Sequence, residues 1–138
     1  MTALTVTTDR TKFLRLVLTA DAVVTGGNGL VYLAAAVPLG ALLGPDAALL
    51  RGIGAFLLVY GAAVGLLAGR GLRRTISPAA TRAVIALNIG WTLGSIAAVV
   101  TGALDLTTAG AVWVIAQALL VAVFAELQIV GLRRTRTT

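Results

Sequence analysis

Four long apolar runs occupy nearly the whole chain, broken at intervals by isolated polar residues. They cover approximately residues 13–37, 45–69, 78–103 and 107–131. Each is long enough to cross about 30 Å of hydrocarbon, which takes roughly 20 helical residues. The first run stops before Pro38, whose ring cannot continue a helix. A short apolar stretch, Leu39–Leu43, follows at the membrane interface. Gly44-Pro45-Asp46 then opens the second run, with proline in the first turn and a carboxylate against the positive helix end. Ser77-Pro78 opens the third in the same way, and Asp105 and Thr107 supply capping oxygens for the fourth. Residues 1–9 and 135–138 are polar and threonine-rich and read as mobile ends. The pattern predicts an all-α, four-transmembrane-helix bundle in a single membrane domain, 1–138. Its connections are so short that sequence neighbours are expected to pack as antiparallel pairs.

The second pair of runs repeats the first. Arg15, Asp21, Thr25, Gly27 and Asn28 align without a gap on Arg82, Asn88, Thr92, Gly94 and Ser95, all 67 positions away. Asp46 answers Asp105, 59 positions on, and Gly71-Leu72-Arg73-Arg74 answers Gly131-Leu132-Arg133-Arg134, 60 positions on. Each repeat holds two spans, so both enter from the same side. The expected architecture is two tandem helical hairpins related by a pseudo-twofold axis along the membrane normal.

Composition supports the membrane reading and narrows the chemistry. Hydrophobic residues make up 59% of the chain, charged residues 12%, and the mean hydropathy is +1.00. A soluble bundle needs a polar stripe on each helix. Here Ile53–Ala68 and Ile96–Leu104 carry only Tyr60 and Thr101 as polar tips. The net charge of +6 would suit nucleic acid, but its placement argues against that partner. All basic residues except Arg51 fall at one end of the runs, which the positive-inside bias assigns to the cytoplasm. Both termini are then cytoplasmic, and the basic face attracts anionic headgroups at about 1 kcal/mol per nearby arginine. Ten arginines against one lysine, amid abundant Ala, Gly and Val, point to a high-GC bacterium and hence to its inner (plasma) membrane. The first run is too long for a signal-peptide core and contains Asp21 and Asn28, so it is expected to be retained.

Cysteine and histidine are both absent. That excludes disulfides, thiolate chemistry and cysteine metal sites, and removes the commonest general base and haem ligand. No metal and no cofactor is expected.

The candidate chemistry lies in the polar residues inside the runs. Asp21, Thr25 and Asn28 share one helix face at i, i+4 and i+7, as do Asn88, Thr92 and Ser95. Facing each other, they would form a polar seam. Asp21 lies six residues beyond Arg15, about 9 Å deeper. Glu126, seven residues before Arg133, reaches a similar depth. An ionised carboxylate at mid-helix costs about 2.5–3.5 kcal/mol even on the milder insertion scale. Two readings follow: a site that takes up and releases a proton or cation, or hydrogen-bonding contacts between helices. Gly26-Gly27-Asn28-Gly29 either lets another helix approach closely or permits local unwinding. Gly61, Gly65 and Gly69 form a second small-residue ridge. Tyr60, Trp91 and Gln117 fall near mid-membrane, where they either line a cavity for a lipophilic molecule or fill the bundle core. Trp113 reads as an interfacial anchor. Gln128 faces roughly the same way as Gln117, since eleven residues make about three turns.

Ala20-Asp21-Ala22-Val23-Val24-Thr25-Gly26, Leu50-Arg51-Gly52-Ile53-Gly54-Ala55-Phe56 and Ala86-Leu87-Asn88-Ile89-Gly90-Trp91 resemble segments of small four-span integral membrane proteins of actinobacteria. The resemblance covers roughly Leu14 to Gly131. It implies the four-span architecture and brings no activity or ligand residues with it. Small multidrug exporters differ in carrying a single glutamate midway along their first helix, and the phenylalanine-rich pore pattern of fluoride channels is absent.

The sequence therefore points first to a membrane protein that binds or transports a lipophilic or cationic small molecule, as a homodimer among membrane lipids. The alternative is an accessory subunit whose glycine faces dock a larger membrane complex. A membrane-embedded enzyme with Asp21 and Glu126 as acid and base is the third and least supported reading, because no nucleophile, metal-ligand set or cofactor motif accompanies the acids; no enzyme is expected.

Overall fold

A computed structural model describes residues 3–70 and 76–136 of the chain. It is all-helical: α1 Ala3–Ala34, α2 Ala36–Leu43, α3 Ala47–Arg70, α4 Pro78–Thr101 and α5 Thr108–Arg136. Four stretches are long and apolar enough to cross a membrane: Thr11–Ala34, Ala47–Gly69, Pro78–Thr101 and Thr108–Thr135. Large aliphatic side chains stand on the outside, with Val59 70% and Val100 80% exposed. In water that surface would aggregate; against acyl chains it is at home. These features mark a small multi-pass membrane protein. The Gly71-Leu72-Arg73-Arg74 segment of the sequence repeat lies outside the described residues.

The helix ends follow local chemistry. α1 stops at Ala34, three residues before the expected end. Pro38 has no N–H for the Ala34 carbonyl, and its ring would strike that same carbonyl, so the proline acts one turn upstream of itself. The chain turns at Ala35 (φ −120°, ψ 29°) and restarts as α2, with Pro38 in a first turn where N–H groups lack helical partners anyway. Gly44 closes α2 at φ +112°, where a Cβ would overlap Asp105 O and Leu106 Cα, so no side chain could stand there. Asp46 caps α3, its Oδ1 accepting from Ala48 N at 2.6 Å and Leu49 N at 3.4 Å. Ser77 caps α4, accepting from Ala80 N at 3.2 Å. In α5 the cap is Thr107, whose hydroxyl accepts from Gly110 N at 3.0 Å and donates to Leu42 O at 2.7 Å. Asp105 instead occupies the preceding turn at φ +51°. At the other end of the chain, the polar leader is helical from Ala3.

Backbone contact through glycine holds α1 to α3. A Cβ on Gly29 would lie 2.7 Å from Gly54 O, and one on Gly61 would lie 2.7 Å from Gly26 N. Gly65 sits against Ala22. Without hydrophobic drive between helices in lipid, such close approach is the main source of association. α1 runs unbroken through Gly26–Gly29: Gly26 and Gly29 lie in the close contact with α3, while Gly27 faces open space. α4 pairs with α5, and α5 also packs on α1, where Gly131 meets Leu14.

The remaining neighbours, α3 and α4, barely touch, contrary to the expectation that every short connection yields a packed pair. α3 has spent its small-residue face on α1. Gly90 and Gly94 of α4 have open space where a Cβ would stand. The spans therefore follow the order α3, α1, α5, α4, with a lateral gap between first and last. Leu14, Leu18, Val64, Ala68, Ile85 and Leu132 fill the end nearest the basic residues. The opposite half is open at the gap.

Candidate functional site

A polar knot sits directly above this packed end. Asp21 on α1 is 1% exposed, and both its oxygens are engaged. Oδ1 accepts from the Thr25 hydroxyl at 2.9 Å; Oδ2 accepts from Asn88 Nδ2 at 2.8 Å and from Gln128 Nε2 at 2.7 Å. Asn88 Nδ2 also donates to Gln128 Oε1 at 3.0 Å, and Asn88 Oδ1 accepts from the Tyr60 hydroxyl at 2.9 Å. The bonds to Asp21 all run inward, from donors on three helices to its two oxygens. A carboxylate has the lone pairs for three such donors, whereas an amide oxygen has two. The knot thus joins α1, α3, α4 and α5 across a gap that α1 and α4 do not bridge with their backbones.

The seam residues separate into distinct roles. Asp21, Thr25 and Asn88 are brought together in the knot. Asn28 stands apart and donates to Gln117 Oε1 at 2.8 Å, a second tie between α1 and α5. Thr92 donates to the carbonyls of Asn88 at 3.0 Å and Ala118 at 3.3 Å, binding α4 to α5. Ser95 lines the cavity described below. Glu126 is exposed and does not join Asp21. Its depth was readable from its distance to Arg133, but depth does not fix facing. Residues 126 and 128 are about 200° apart around a helix, so the turn that buries Gln128 turns Glu126 outward.

Gln128, which is not among the site residues expected from the sequence, is 0% exposed at the heart of the knot. The eleven-residue spacing from Gln117 was the available signal.

Between α3 and α4 lies a cavity of about 460 Å³. Tyr60, Trp91 and Gln117, the three cavity candidates, all stand in its wall, joined by Tyr32, Phe56 and Trp113. Five of the seven aromatic residues of the chain therefore line this one space. Phe56 stacks on Tyr60, centroids 5.9 Å apart and planes 8° apart, and on Trp91 across the gap at 5.8 Å and 12°. Trp113, read as an anchor, donates from Nε1 to the Tyr32 hydroxyl at 2.7 Å at the cavity's far end. Phe56 and Tyr32 had no distinguishing pattern in the sequence. Among the described residues, none in the wall is charged: Asp21 bonds to Asn88 from outside the lining, and Asp46, Arg51 and Glu126 are not part of it. Among the described residues, Gln117 Nε2 and the Ser95 hydroxyl have no hydrogen-bond partner, so their donors remain for something in the cavity.

Comparison with protein-family models, with curated proteins and with solved structures finds no match to this chain. The reading of function rests on the geometry alone.

Proposed function

We propose that this protein binds a neutral lipophilic small molecule in the cavity between α3 and α4, with the ligand's apolar body among the aromatic side chains and its polar end on Gln117. The observation that carries the reading is an uncharged, aromatic-lined cavity of about 460 Å³ with an unspent donor in its wall. Small-molecule sites typically span roughly 300–1,000 Å³, mostly apolar with a few placed polar groups. A cationic ligand is the weaker choice, because the nearest carboxylate, Asp21, is screened by Asn88 and already holds three donors. Asp21 and the knot act as positioning residues that fix α4 relative to α1 and so hold the cavity's floor.

The charge distribution supports a bacterial plasma-membrane location with both termini and the basic end cytoplasmic. The cavity then occupies the outer half of the bilayer. The hydrogen bond between Asp21 and Asn88, which are matched positions of the sequence repeat, supports a pseudo-twofold axis passing between them.

The test is mass spectrometry of organic extracts from purified wild type and Gly94→Leu. A side chain at Gly94 enters open space, so it fills the cavity without breaking a helix contact. Wild type should carry a lipophile that the variant loses; equal retention removes the cavity from the account. A second reading, an accessory subunit or a homodimer, draws on the same lateral gap, which would admit a helix of a partner or a second copy. A stoichiometric partner or dimer in mild detergent, lost in Gly94→Leu, would favour it.

A further inference from the structure

We infer that the molecule recognised here carries a planar conjugated ring with a carbonyl group on an apolar tail, the chemistry of a quinone, and that it reaches the cavity sideways from the bilayer through the gap between α3 and α4. The inference rests on the binding reading above and specifies its ligand. Three observations select this class.

The first is the shared orientation of the rings. Tyr60, Phe56 and Trp91 lie within about a dozen degrees of parallel along their two contacts, at separations of 5.9 and 5.8 Å. Offset stacking at roughly 4.5–7 Å favours another flat ring continuing the series, whereas a saturated, puckered ring gains only contact area. The wall of α4 suits this shape. Ala86, Gly90, Gly94 and Ala98 recur every fourth residue in the cavity lining and present a smooth face against which a thin ring can lie.

The second is the hydrogen-bonding balance. The Tyr60 hydroxyl is committed to Asn88 and Val84, and the Trp113 N–H to Tyr32. Gln117 spends its carbonyl oxygen on Asn28, which leaves its N–H group, and Ser95 adds a hydroxyl. Donors without partners call for an acceptor on the ligand, and a ring carbonyl supplies one without bringing charge into a wall that has none to match. A carboxylate or an amine would enter as a charge with no counter-charge in so apolar a place, which disfavours it.

The third is access. The gap opens between two spans whose neighbouring faces are aliphatic, so a tail can remain among the acyl chains while the ring inserts.

The experiment uses full-length Trp113→Phe protein in lipid nanodiscs, where Trp91 alone fluoresces. It is titrated with a decyl-substituted benzoquinone, the same ring without its tail, and a decyl-substituted cyclohexanediol as saturated competitor. Saturable loss of Trp91 emission by the tailed quinone is expected, with the saturated ring displacing it at least tenfold more weakly. Gln117→Leu should weaken the tailed quinone by about tenfold, the size of one hydrogen bond. The three ligands are compared in one and the same Trp113→Phe protein, so their ranking stands even if Gln117→Leu fails to fold. If the saturated ring displaces the quinone equally well, the planar-carbonyl inference falls while binding in the cavity survives. If the tailless ring binds as tightly as the tailed one, access from the bilayer falls. If quenching is linear and identical in Gly94→Leu, both the inference and the binding reading fall.

Discussion

At the scale of single residues, Asp21 shows how a carboxylate can be a structural necessity inside a membrane. Its three donors come from α1, α4 and α5 and are shared between two oxygens, where an amide would offer one. Asp21→Asn places an N–H group opposite at least one of those donors. It should lower unfolding stability by about 1–3 kcal/mol, the cost of leaving buried polar groups unmatched. Glu126→Gln, on an exposed face, should leave stability within about 0.5 kcal/mol of wild type. Denaturation in mixed micelles, followed by far-ultraviolet circular dichroism, measures both. Equal stability of the two variants would mean that the knot does not hold the bundle together. The i, i+4, i+7 spacing made Asp21, Thr25 and Asn88 legible from the sequence. It did not show Glu126's outward facing or Gln128's inward one, because helix rotation is set by neighbours that a single sequence does not reveal.

At the scale of elements, glycine has two opposite uses that the sequence does not distinguish. Gly29, Gly54 and Gly61 bring the backbones of α1 and α3 together, and a Cβ at any of them would overlap main-chain atoms. Gly27 faces open space, as do Gly90 and Gly94 on the cavity wall. Gly61→Val should therefore separate α1 from α3 and destabilise the fold by several kcal/mol, since backbone cannot yield as a flexible side chain can. Gly27→Ala should be neutral or stabilise by up to about 1 kcal/mol, the gain in helix propensity. Comparison of their unfolding midpoints checks this directly; similar losses in both would place the α1–α3 contact elsewhere. The four spans and three of their caps, Asp46, Ser77 and Thr107, were plain in the sequence, because hydrophobic length and capping chemistry are local properties. The break at Ala34 was local too, but its cause lies four residues downstream at Pro38. The failure of α3 to pack on α4 was hidden, because it depends on which of several glycine faces wins the close contact.

At the scale of the whole molecule, the bundle is asymmetric along its length: an apolar core at the basic end, a polar knot above it, and a lateral cavity beyond. This layering predicts where lipid reaches the protein interior. Trp91 lies 13 residues into α4, about 20 Å from its start, and Trp113 five residues into α5, about 8 Å from its own. The two helices start at opposite ends, so Trp113 belongs near the headgroups at the end away from the basic residues and Trp91 somewhat past the midplane. In bilayers of lipids brominated at a defined carbon, deep bromines should quench Trp91 most strongly and shallow ones Trp113, each read in the single-tryptophan variant. A closed four-helix bundle would direct Trp91 into its core and insulate it from bromine at every depth. The lateral gap instead lets acyl chains approach the same ring that stacks on Phe56. Quenching of Trp91 should then fall when Gly94→Leu blocks the cavity, while quenching of Trp113, nearer the interface, changes little. A Trp91 signal indifferent both to bromine depth and to the leucine would show that the helices close against each other in lipid, leaving no space between α3 and α4 for any ligand.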